Sequence, residues 1–385
     1  MSFSLEPHPL PPEALALRER VRAFLAETGQ SWTLADRARS WTAFDRAFSR
    51  RVAAEGWIGM TWPKRYGGGE RSALERYVVI EEMLAAGAPV AAHWVADRQS
   101  GPLILRVGTE EQKTRFLPAI ARGELAFCIG LSEPDSGSDL ASVRSRATRV
   151  DGGWRLNGAK IWTTNAHKSD FMIGLFRTGA AGEGQRHAGL SQFIIDMASP
   201  GLEVRPIRDL TGEGHFNECR FDDVFVPETM LIGNEGDGWA QVNAELAFER
   251  SGPDRYLSAF PLVAAAMTAA RDGGGGASIH IVREAGRMIA GLATVRAMSL
   301  GIAGLLEQGA APLQEAALLK DLGLSLEQDA TRFAEEIGAA EATWVPDGGL
   351  SDALAYLTQV SPTFSLRGGT REIMRGVIAR GIGVR

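Results

Sequence analysis

Residues 128–166 read CIGLSEPDSGSDLASVRSRATRVDGGWRLNGAKIWTTNA and are the most informative stretch of the chain. A short apolar run leads into residues 132–139, a polar turn rich in hydroxyl and backbone N–H groups. Alternating residues follow, with turn signals at 151–153 and 157–158 that predict a β-hairpin. Residues 161–165 then place a Trp-Thr pair opposite the turn. The stretch therefore predicts a site for a flat ring with polar edges.

The spacing of apolar residues along the chain divides it into three parts. Residues 1–126 show helical spacing, with a start signal at Pro11-Pro12 and a capping box from Thr109 to Gln112. Residues 127–235 show the two-residue period of strands, predicted at 154–156, 171–176, 192–196, 202–206 and 220–226. Residues 236–385 return to long helical stripes, which are typical of a bundle and include Met288, Phe333 and Ile337. Loops are predicted at 273–276 and 345–349, and Thr370 is expected to cap a last helix. The predicted fold is α+β, with a barrel-like or two-layer antiparallel middle domain.

Composition excludes several functional classes. The 385 residues carry a net charge of −6 with scattered basic residues, which argues against a nucleic-acid partner. No apolar run is expected to reach the roughly 18 to 20 residues that span a membrane, and the first residues do not resemble a signal peptide. Cys128 and Cys219 stand alone, which indicates a reducing, cytoplasmic setting and no metal site.

Four segments together resemble the acyl-CoA dehydrogenases over nearly the whole chain. They are LSEPDSGSD at 131–139, IWTTN at 161–165, FDDVFVP at 221–227 and GGTREIMR at 368–375. The resemblance implies a helical N-terminal domain (1–126), a β middle domain (127–235) and a C-terminal four-helix bundle (236–385). It also implies FAD, bound between the middle domain and the bundle.

The resemblance assigns roles to individual residues. Trp162 would pack on the flavin ring, and Thr164 would hydrogen-bond near its N5 edge. Leu131 and Ser132 would meet the pyrimidine side of the ring. The remaining contacts implied for FAD come from Gly137, Ser138, Thr370 and Glu372, with Ser138 also beside the CoA arm. A buried core position is the alternative for Trp162, and a plain surface turn is the alternative for residues 132–139.

The implied reaction is oxidation of an acyl-CoA to the trans-2-enoyl-CoA, with a carboxylate base of raised pKa removing the α proton. Many relatives carry that base immediately before the final Gly-Thr, but this chain has Gly368 there. A minority use a Glu-Arg pair on a bundle helix, which corresponds to Glu249 and Arg250. We therefore expect Glu249 to be the base and Arg250 to lie beside the CoA thioester; a helix-surface Glu-Arg pair is the alternative.

Two elements that relatives lend to a neighbouring subunit's FAD are missing. Residues 271–277 read RDGGGGA where relatives have Arg-x-x-Phe-Gly, and residues 340–349 read AEATWVPDGG where relatives have Gln-x-x-Gly-Gly-x-Gly. The chain is therefore expected to form either a homotetramer or a heterotetramer with a related subunit that supplies the missing groups. In the second case it could also be a non-catalytic or half-site subunit.

The substrate and the electron acceptor are less well specified. Residues 93–100, HWVADRQS, lie where relatives line the acyl pocket, and they are more polar and bulkier than a straight alkyl chain needs. Residues 215–218 are a second candidate for substrate contact; surface or inter-domain positions are the alternative for both. We expect a branched, ring-bearing or polar acyl group. Electrons are expected to pass to an electron-transfer flavoprotein, with an oxidase that reduces O₂ as the alternative.

Overall fold

A computed structural model describes residues 5, 6, 8–180, 186–272, 278–340 and 349–384; the side chains of residues 245–249 and 338–340 lie outside that description. The helices are α1 Pro12–Thr28, α2 Leu34–Ala38, α3 Arg46–Ala54, α4 Ala73–Ala85, α5 Ala91–Val95, α6 Gly101–Val107, α7 Glu110–Ala121, α8 Gly238–Glu249, α9 Phe260–Asp272, α10 Ile279–Glu307, α11 Leu313–Ala340, α12 Gly349–Phe364 and α13 Arg371–Gly381. The strands are β1 Phe127–Gly130, β2 Arg146–Val150, β3 Gly153–Thr164, β4 Phe171–Arg177, β5 Leu190–Asp196, β6 Leu202–Ile207, β7 Phe216–Pro227 and β8 Leu231–Ile232.

The chain divides into two compact units, which differ from the three predicted domains. One unit contains residues 44–71 and 90–246, and we call it the sheet unit. The other contains residues 1–43, 72–89 and 247–385, and we call it the helical unit. Helices of the N-terminal third are therefore shared between the units, and the three-domain division by sequence stays a prediction.

Three predicted helix starts are confirmed, two of them by a side-chain capping hydrogen bond. α1 begins at Pro12, whose missing N–H costs nothing in the first helical turn. The Thr109–Gln112 capping box at the start of α7 is present in both directions. α13 begins after Thr370, whose side chain accepts from the backbone N–H of Ile373. Of the predicted loops, residues 273–276 lie outside the described part of the chain, and so does 345–349 except Gly349.

The sheet unit contains one mixed sheet of eight strands, as far as the structure describes it. Its order is β6-β7-β3-β2-β4-β5-β8, with β1 paired to β4. All five predicted strands are confirmed. β1 and β2 run parallel to β4, so the antiparallel prediction is wrong for these two pairs. The core of this unit forms around Trp154, Phe176, Phe193 and Phe221.

The predicted turn at Asn157-Gly158 is wrong, whereas the turn at 151–152 joins β2 to β3 as expected. Residues 157 and 158 lie inside β3, where the register with β7 shifts between Leu156 and Gly158. Gly158 has φ +139°, and an added Cβ would lie 2.2 Å from the Ser145 hydroxyl. Asn157 accepts a hydrogen bond from the backbone N–H of Asp223 at 3.0 Å. The Asn-Gly pair therefore forms a β-bulge in a long strand.

The helical unit is built around the long helices α10 and α11. Phe333, Ile337 and Met288 from their predicted stripes lie in its core. By length and composition alone, α10 is long and apolar enough to cross a membrane, because it contains an 18-residue window of mean hydropathy 1.7. The expectation that no apolar run reaches this length is therefore wrong. Of that window, 39% is buried in the structure. Core helices of a bundle meet the same two criteria, so this finding alone is weak support for a membrane span.

Candidate functional site

Trp162 is an exposed aromatic residue on a strained backbone in the sheet unit. Its side chain is 56% exposed, although it lies in the long strand β3. Its φ is +61°, a left-handed conformation that costs a residue with a side chain about 1–2 kcal/mol. The register between β3 and β7 shifts between Lys160 and Thr163, and this bulge turns the indole outward. The alternative of a core tryptophan is therefore wrong.

The residues after Trp162 are held by contacts with β7 and with His215, which directly precedes that strand. The side-chain amide of Asn217 donates to the carbonyl of Thr163 at 2.9 Å. The backbone N–H of Asn165 donates to the carbonyl of His215 at 2.6 Å, and Asn165 also has a positive φ of +53°. Phe216 meets the Trp162 ring edge-on, with centroids 5.9 Å apart. These contacts fix the direction of Trp162 and leave Thr164 half-buried beside it.

The polar turn at 131–139 is attached to the same strand. The backbone N–H of Ile161 donates to the carbonyl of Ser132 at 2.9 Å. The ammonium group of Lys160 donates to the carbonyl of Leu131 at 3.1 Å. The structure therefore brings Leu131 and Ser132 next to the strand residues that precede Trp162. Leu131 and Ser132 are both partly exposed, as a ligand contact requires.

Gly137 and Ser138 are exposed at the tip of this turn. A Cβ added at Gly137 would meet nothing within 4 Å. Packing within the described chain therefore does not require glycine at this position. Close approach of FAD and the CoA arm to Gly137 and Ser138 stays a prediction.

Sequence reasoning missed the charged pair that holds this turn in place. Glu133 and Lys160 form an ion pair at 2.7 Å, and their side chains are 8% and 0% exposed. Burial lowers the pKa of Lys160 to about 8, against the attraction of Glu133. Burial opposes ionisation of Glu133 too, but Lys160 and backbone N–H donors keep the pKa of that carboxyl below its usual value. A lysine at an inward-facing position of β3 was the available sequence signal.

The predicted residues of the C-terminal segment lie in the helical unit. Arg250 is buried, and its Nε donates to the carbonyl of Gly368 at 3.2 Å. Lys320, also buried, donates to the carbonyl of Gly369. Gly368 and Gly369 have φ of +67° and +100°, which accounts for the Gly-Gly pair. Two cations therefore hold the turn before α13.

Thr370 and Glu372 are at the start of α13. The Thr370 hydroxyl caps the helix, and Glu372 is exposed in the first turn. Its own backbone N–H, the Thr370 hydroxyl and the nearby arginines hold the pKa of Glu372 below its usual value. An anionic carboxylate at this end also complements the helix dipole. Both residues have structural roles here, and their contact with FAD stays a prediction.

Glu249, the predicted base, is the last residue of α8, and its side chain lies outside the described residues. The neighbouring residue Arg250 contacts Gly368, the position where many relatives carry the base. Arg250 therefore connects the backbone next to Glu249 with the glycine that stands where many relatives carry the base.

The polar stretch predicted to face the substrate is buried, so a surface position is wrong for most of it. Residues 96–100 form a π-helix after α5, a conformation frequent at functional sites. His93 pairs with the hydroxyl of Ser49 at 2.8 Å, and the Asp97 carboxylate accepts from the backbone N–H of Gly59 at 2.7 Å. The second candidate, His215, packs against Phe216 with centroids 4.1 Å apart and the rings tilted by 43°.

These features of the sheet unit fit a flavin ring. An exposed indole held in a strained conformation gains by covering its face with another flat ring. The partly exposed residues of the adjacent turn provide backbone groups and a hydroxyl for the polar edge of such a ring. Within the chain described here, Trp162 has no such cover, since its aromatic contact with Phe216 is edge-on at 88°.

Comparison with known proteins gives matches to two domain models and to a relative over most of the chain. Residues 11–124 match the acyl-CoA dehydrogenase N-terminal domain and residues 128–224 match the middle domain. Acyl-CoA dehydrogenase FadE29 of Mycobacterium tuberculosis is 34% identical over 344 residues, which are 86% of both chains. Two other curated relatives, 43% and 40% identical, align over regions that are only 27% and 52% of their own lengths.

Two solved structures cover nearly the whole chain. The Tcur3481-Tcur3483 steroid ACAD superposes with a TM-score of 0.87 at 27% identity and covers 100% of both chains. The ChsE4-ChsE5 complex from Mycobacterium tuberculosis has a TM-score of 0.82 at 27% identity, covering 98% of this chain and 99% of that one. Acyl-CoA dehydrogenases are FAD-dependent enzymes. From its two matched domains, its relative aligned over 86% of both chains and its fold, the chain belongs to the acyl-CoA dehydrogenase family.

Proposed function

We propose that this chain catalyses FAD-dependent α,β-dehydrogenation of an acyl-CoA thioester to the trans-2-enoyl-CoA. The observation that carries the proposal is Trp162, an exposed indole on a strained backbone, beside the attached turn of Leu131 and Ser132. FAD, when bound, supplies the acceptor for the hydride that leaves the β carbon. The protein then has to orient the ring, hold the thioester and remove the α proton.

The α proton requires a carboxylate base, which we assign to Glu249. A base near neutral pH needs a raised pKa, which a nearly dry pocket provides. Gly368 supports the assignment, because the position that carries the base in many relatives has no side chain here and a left-handed backbone. Arg250 would lie beside the CoA thioester end, where its positive charge favours the polarised carbonyl.

The acyl group is proposed to be branched, ring-bearing or polar. The buried polar side chains of residues 93–100 support this, since a straight alkyl chain gains nothing from them. The similarity to a protein described as a steroid ACAD supports a bulky ring system. Specificity constants should therefore be higher for a ring-bearing acyl-CoA than for straight medium-chain or long-chain acyl-CoAs. The reverse order would contradict this part of the proposal.

A second candidate is a half-site subunit in a heterotetramer. The sequences at 271–277 and 340–349 lack the elements that relatives lend to a neighbour's FAD. A structural relative described as a complex of two differently named chains, ChsE4-ChsE5, supports such an assembly. If this candidate is correct, the protein purified alone is colourless and turns yellow only when co-expressed with its partner. A homotetramer instead retains FAD alone.

The dehydrogenase activity is tested by product formation with two acceptors. Purified protein is incubated with an acyl-CoA and either an electron-transfer flavoprotein or O₂, and enoyl-CoA is measured by chromatography. We expect product with the electron-transfer flavoprotein and little with O₂ alone. Equal or faster turnover with O₂ would identify an oxidase. Absence of product with FAD-loaded protein and any acyl-CoA would contradict the proposal.

A further inference from the structure

Lys160 is a fully buried cation inside the sheet unit. Its side chain is 0% exposed, and its Nζ lies 5.0 Å from the centroid of the Phe176 ring. Burying an ammonium group costs several kcal/mol unless partners compensate for the lost water. Apolar side chains of similar volume often stabilise such a position better. Retention of a charge at this position therefore calls for a role beyond packing.

The two hydrogen bonds described for the Lys160 ammonium group both lead to the polar turn. Its ammonium group donates to the Leu131 carbonyl at 3.1 Å and to the Glu133 carboxylate at 2.7 Å. Glu133 also accepts from the backbone N–H groups of Arg144 at 2.6 Å and Ser145 at 2.9 Å. The pair therefore connects the middle of β3, the turn and the segment before β2.

The next residue along β3 continues this attachment. Ile161 donates its backbone N–H to the Ser132 carbonyl, and Trp162 follows directly. Residues 160 and 161 thus hold the two turn residues that are expected to meet the polar edge of the flavin. Trp162, which would cover the face of the ring, belongs to the same strand. The strand β3 therefore positions both the residue expected to cover the flavin face and the turn expected to meet the polar edge of the flavin.

We propose that Lys160 and Glu133 are positioning residues for FAD, which hold the backbone of Leu131 and Ser132 in register with Trp162. Neither side chain needs to touch FAD, because both act through the turn. This inference rests on the proposed binding of FAD to these residues. It assigns the buried ion pair a role in cofactor affinity that is separate from the folding of the sheet.

The test compares two single variants with the double variant. Lys160→Met leaves the Glu133 carboxylate buried without its cation, and Glu133→Gln leaves the cation without its carboxylate. Both should lower the melting temperature of the apoprotein and raise the Kd for FAD by about tenfold or more, the effect of one charge-assisted hydrogen bond. In the double variant the one side-chain amide oxygen that Glu133→Gln introduces can accept from the N–H of Arg144 or from that of Ser145, and no charge is left buried without a partner. The melting temperature should therefore return towards that of the wild type.

Affinity for FAD separates positioning from packing. If the pair positions the turn, Kd stays about tenfold raised in the double variant, because the bond from Lys160 to the Leu131 carbonyl is still missing. The flavin absorption band of the bound cofactor should also shift. If Kd recovers together with the melting temperature, or neither single variant changes Kd, the inference is wrong. Wild-type protein that binds no FAD would instead contradict the proposed function.

A control ion pair, with both side chains 33% exposed, is available in the same unit. Arg46 and Asp170 form a bidentate ion pair, with nitrogen–oxygen distances of 2.9 and 3.0 Å, and neither contacts the turn at 131–139 in the bonds that the structure describes. The double variant Arg46→Met/Asp170→Asn should lower the melting temperature and leave the Kd for FAD within about twofold of wild type. An equal rise in Kd in this control would show that the affinity loss is unspecific.

Discussion

The two regions that carry the predicted site residues are held in opposite ways. Trp162 has a left-handed backbone conformation, which is strained for a residue other than glycine, and the buried Glu133–Lys160 ion pair attaches the neighbouring turn to β3. Before α13, two glycines adopt left-handed conformations without strain, and Arg250 and Lys320 hold their carbonyl groups. Strain is thus stored where a flat ring would bind, and it is absent where many relatives carry the catalytic base. The difference indicates that binding of the cofactor and placement of the base depend on separate structural features.

The largest effect should come from the helical unit. Glu249→Gln should lower the rate of flavin reduction by acyl-CoA about 10²–10⁴-fold, because a general base contributes that much to proton transfer. Retention of FAD should not change. Rapid-mixing absorbance under anaerobic conditions measures both quantities.

Glu245→Gln, one turn earlier on α8, is the matched control and should stay within a few-fold of the wild-type rate. A near-normal rate in Glu249→Gln would show that the base is another residue. Loss of FAD in that variant would contradict the separation between the two regions.

Two tryptophans of β3 allow a structural role and a cofactor-binding role to be compared within the sheet unit. Trp154 is 1% exposed, so Trp154→Ala should lower the free energy of unfolding by about 3–5 kcal/mol. Trp162→Gly removes an exposed side chain and relieves its strained φ, so the apoprotein should change by about 1 kcal/mol or less. The Kd for FAD should nevertheless rise about tenfold through the lost stacking. Denaturant unfolding and flavin fluorescence measure the two effects.

The reverse pattern would overturn this interpretation. If Trp162→Gly unfolds the sheet unit, the residue is structural. If it binds FAD as tightly as the wild type, the indole does not cover the ring.

The lowered pKa of Lys160 predicts that the stability of the apoprotein and its affinity for FAD change in opposite directions with pH. Burial lowers the pKa of Lys160 from 10.5 to about 8, so the unfolded chain binds more protons between those values. The free energy of unfolding of the apoprotein should therefore rise with pH across that window, relative to Lys160→Met. Affinity for FAD should fall, because the neutral amine holds the Leu131 carbonyl less strongly. Urea unfolding and FAD titration at pH 7 to about 10 measure both trends.

Other groups near Lys160 should not produce this behaviour. Glu133 is ionised throughout the window, since its pKa lies below its usual value, and Arg177, which interacts with that carboxylate, stays charged. Cys219 is opposite Lys160 on β7, and burial raises the pKa of its thiol to about 12. Identical pH profiles for the wild type and Lys160→Met would exclude Lys160 as the titrating group.

The smallest effect is expected at the start of α13. Thr370→Ala removes the side-chain oxygen that accepts from the backbone N–H of Ile373 at 3.4 Å, and should cost about 1 kcal/mol of unfolding free energy. Thr370→Ser keeps the cap and should be neutral. A change in the Kd for FAD in Thr370→Ala but not in Thr370→Ser would add direct evidence for contact with the cofactor.

The sequence predicted the repetitive parts of the fold well, because periodicity reports which face is buried. All five strands, the Thr109–Gln112 capping box and the cap at Thr370 are confirmed. The Asn157-Gly158 turn was wrong because the same dipeptide also suits a bulge in a long strand. Which of the two forms depends on packing against Ser145, a residue outside the local pattern.

The candidate site was only partly accessible to sequence reasoning. Motifs identified Ser132 and Trp162, but the bulge that exposes the indole depends on its register with β7. The inward-facing position of Lys160 was a local signal, but its partner Glu133 lies 27 positions away, so no local pattern reveals the pair. Long-range pairing of this kind is read from the folded sheet alone.

The most direct test of the account is anaerobic titration of the purified chain with a ring-bearing acyl-CoA, followed at the flavin absorption band and by product analysis. The account predicts a yellow protein whose flavin band bleaches stoichiometrically, with one trans-2-enoyl-CoA formed per FAD reduced. A yellow protein that no acyl-CoA bleaches would contradict the central claim that this chain is an acyl-CoA dehydrogenase with its own base.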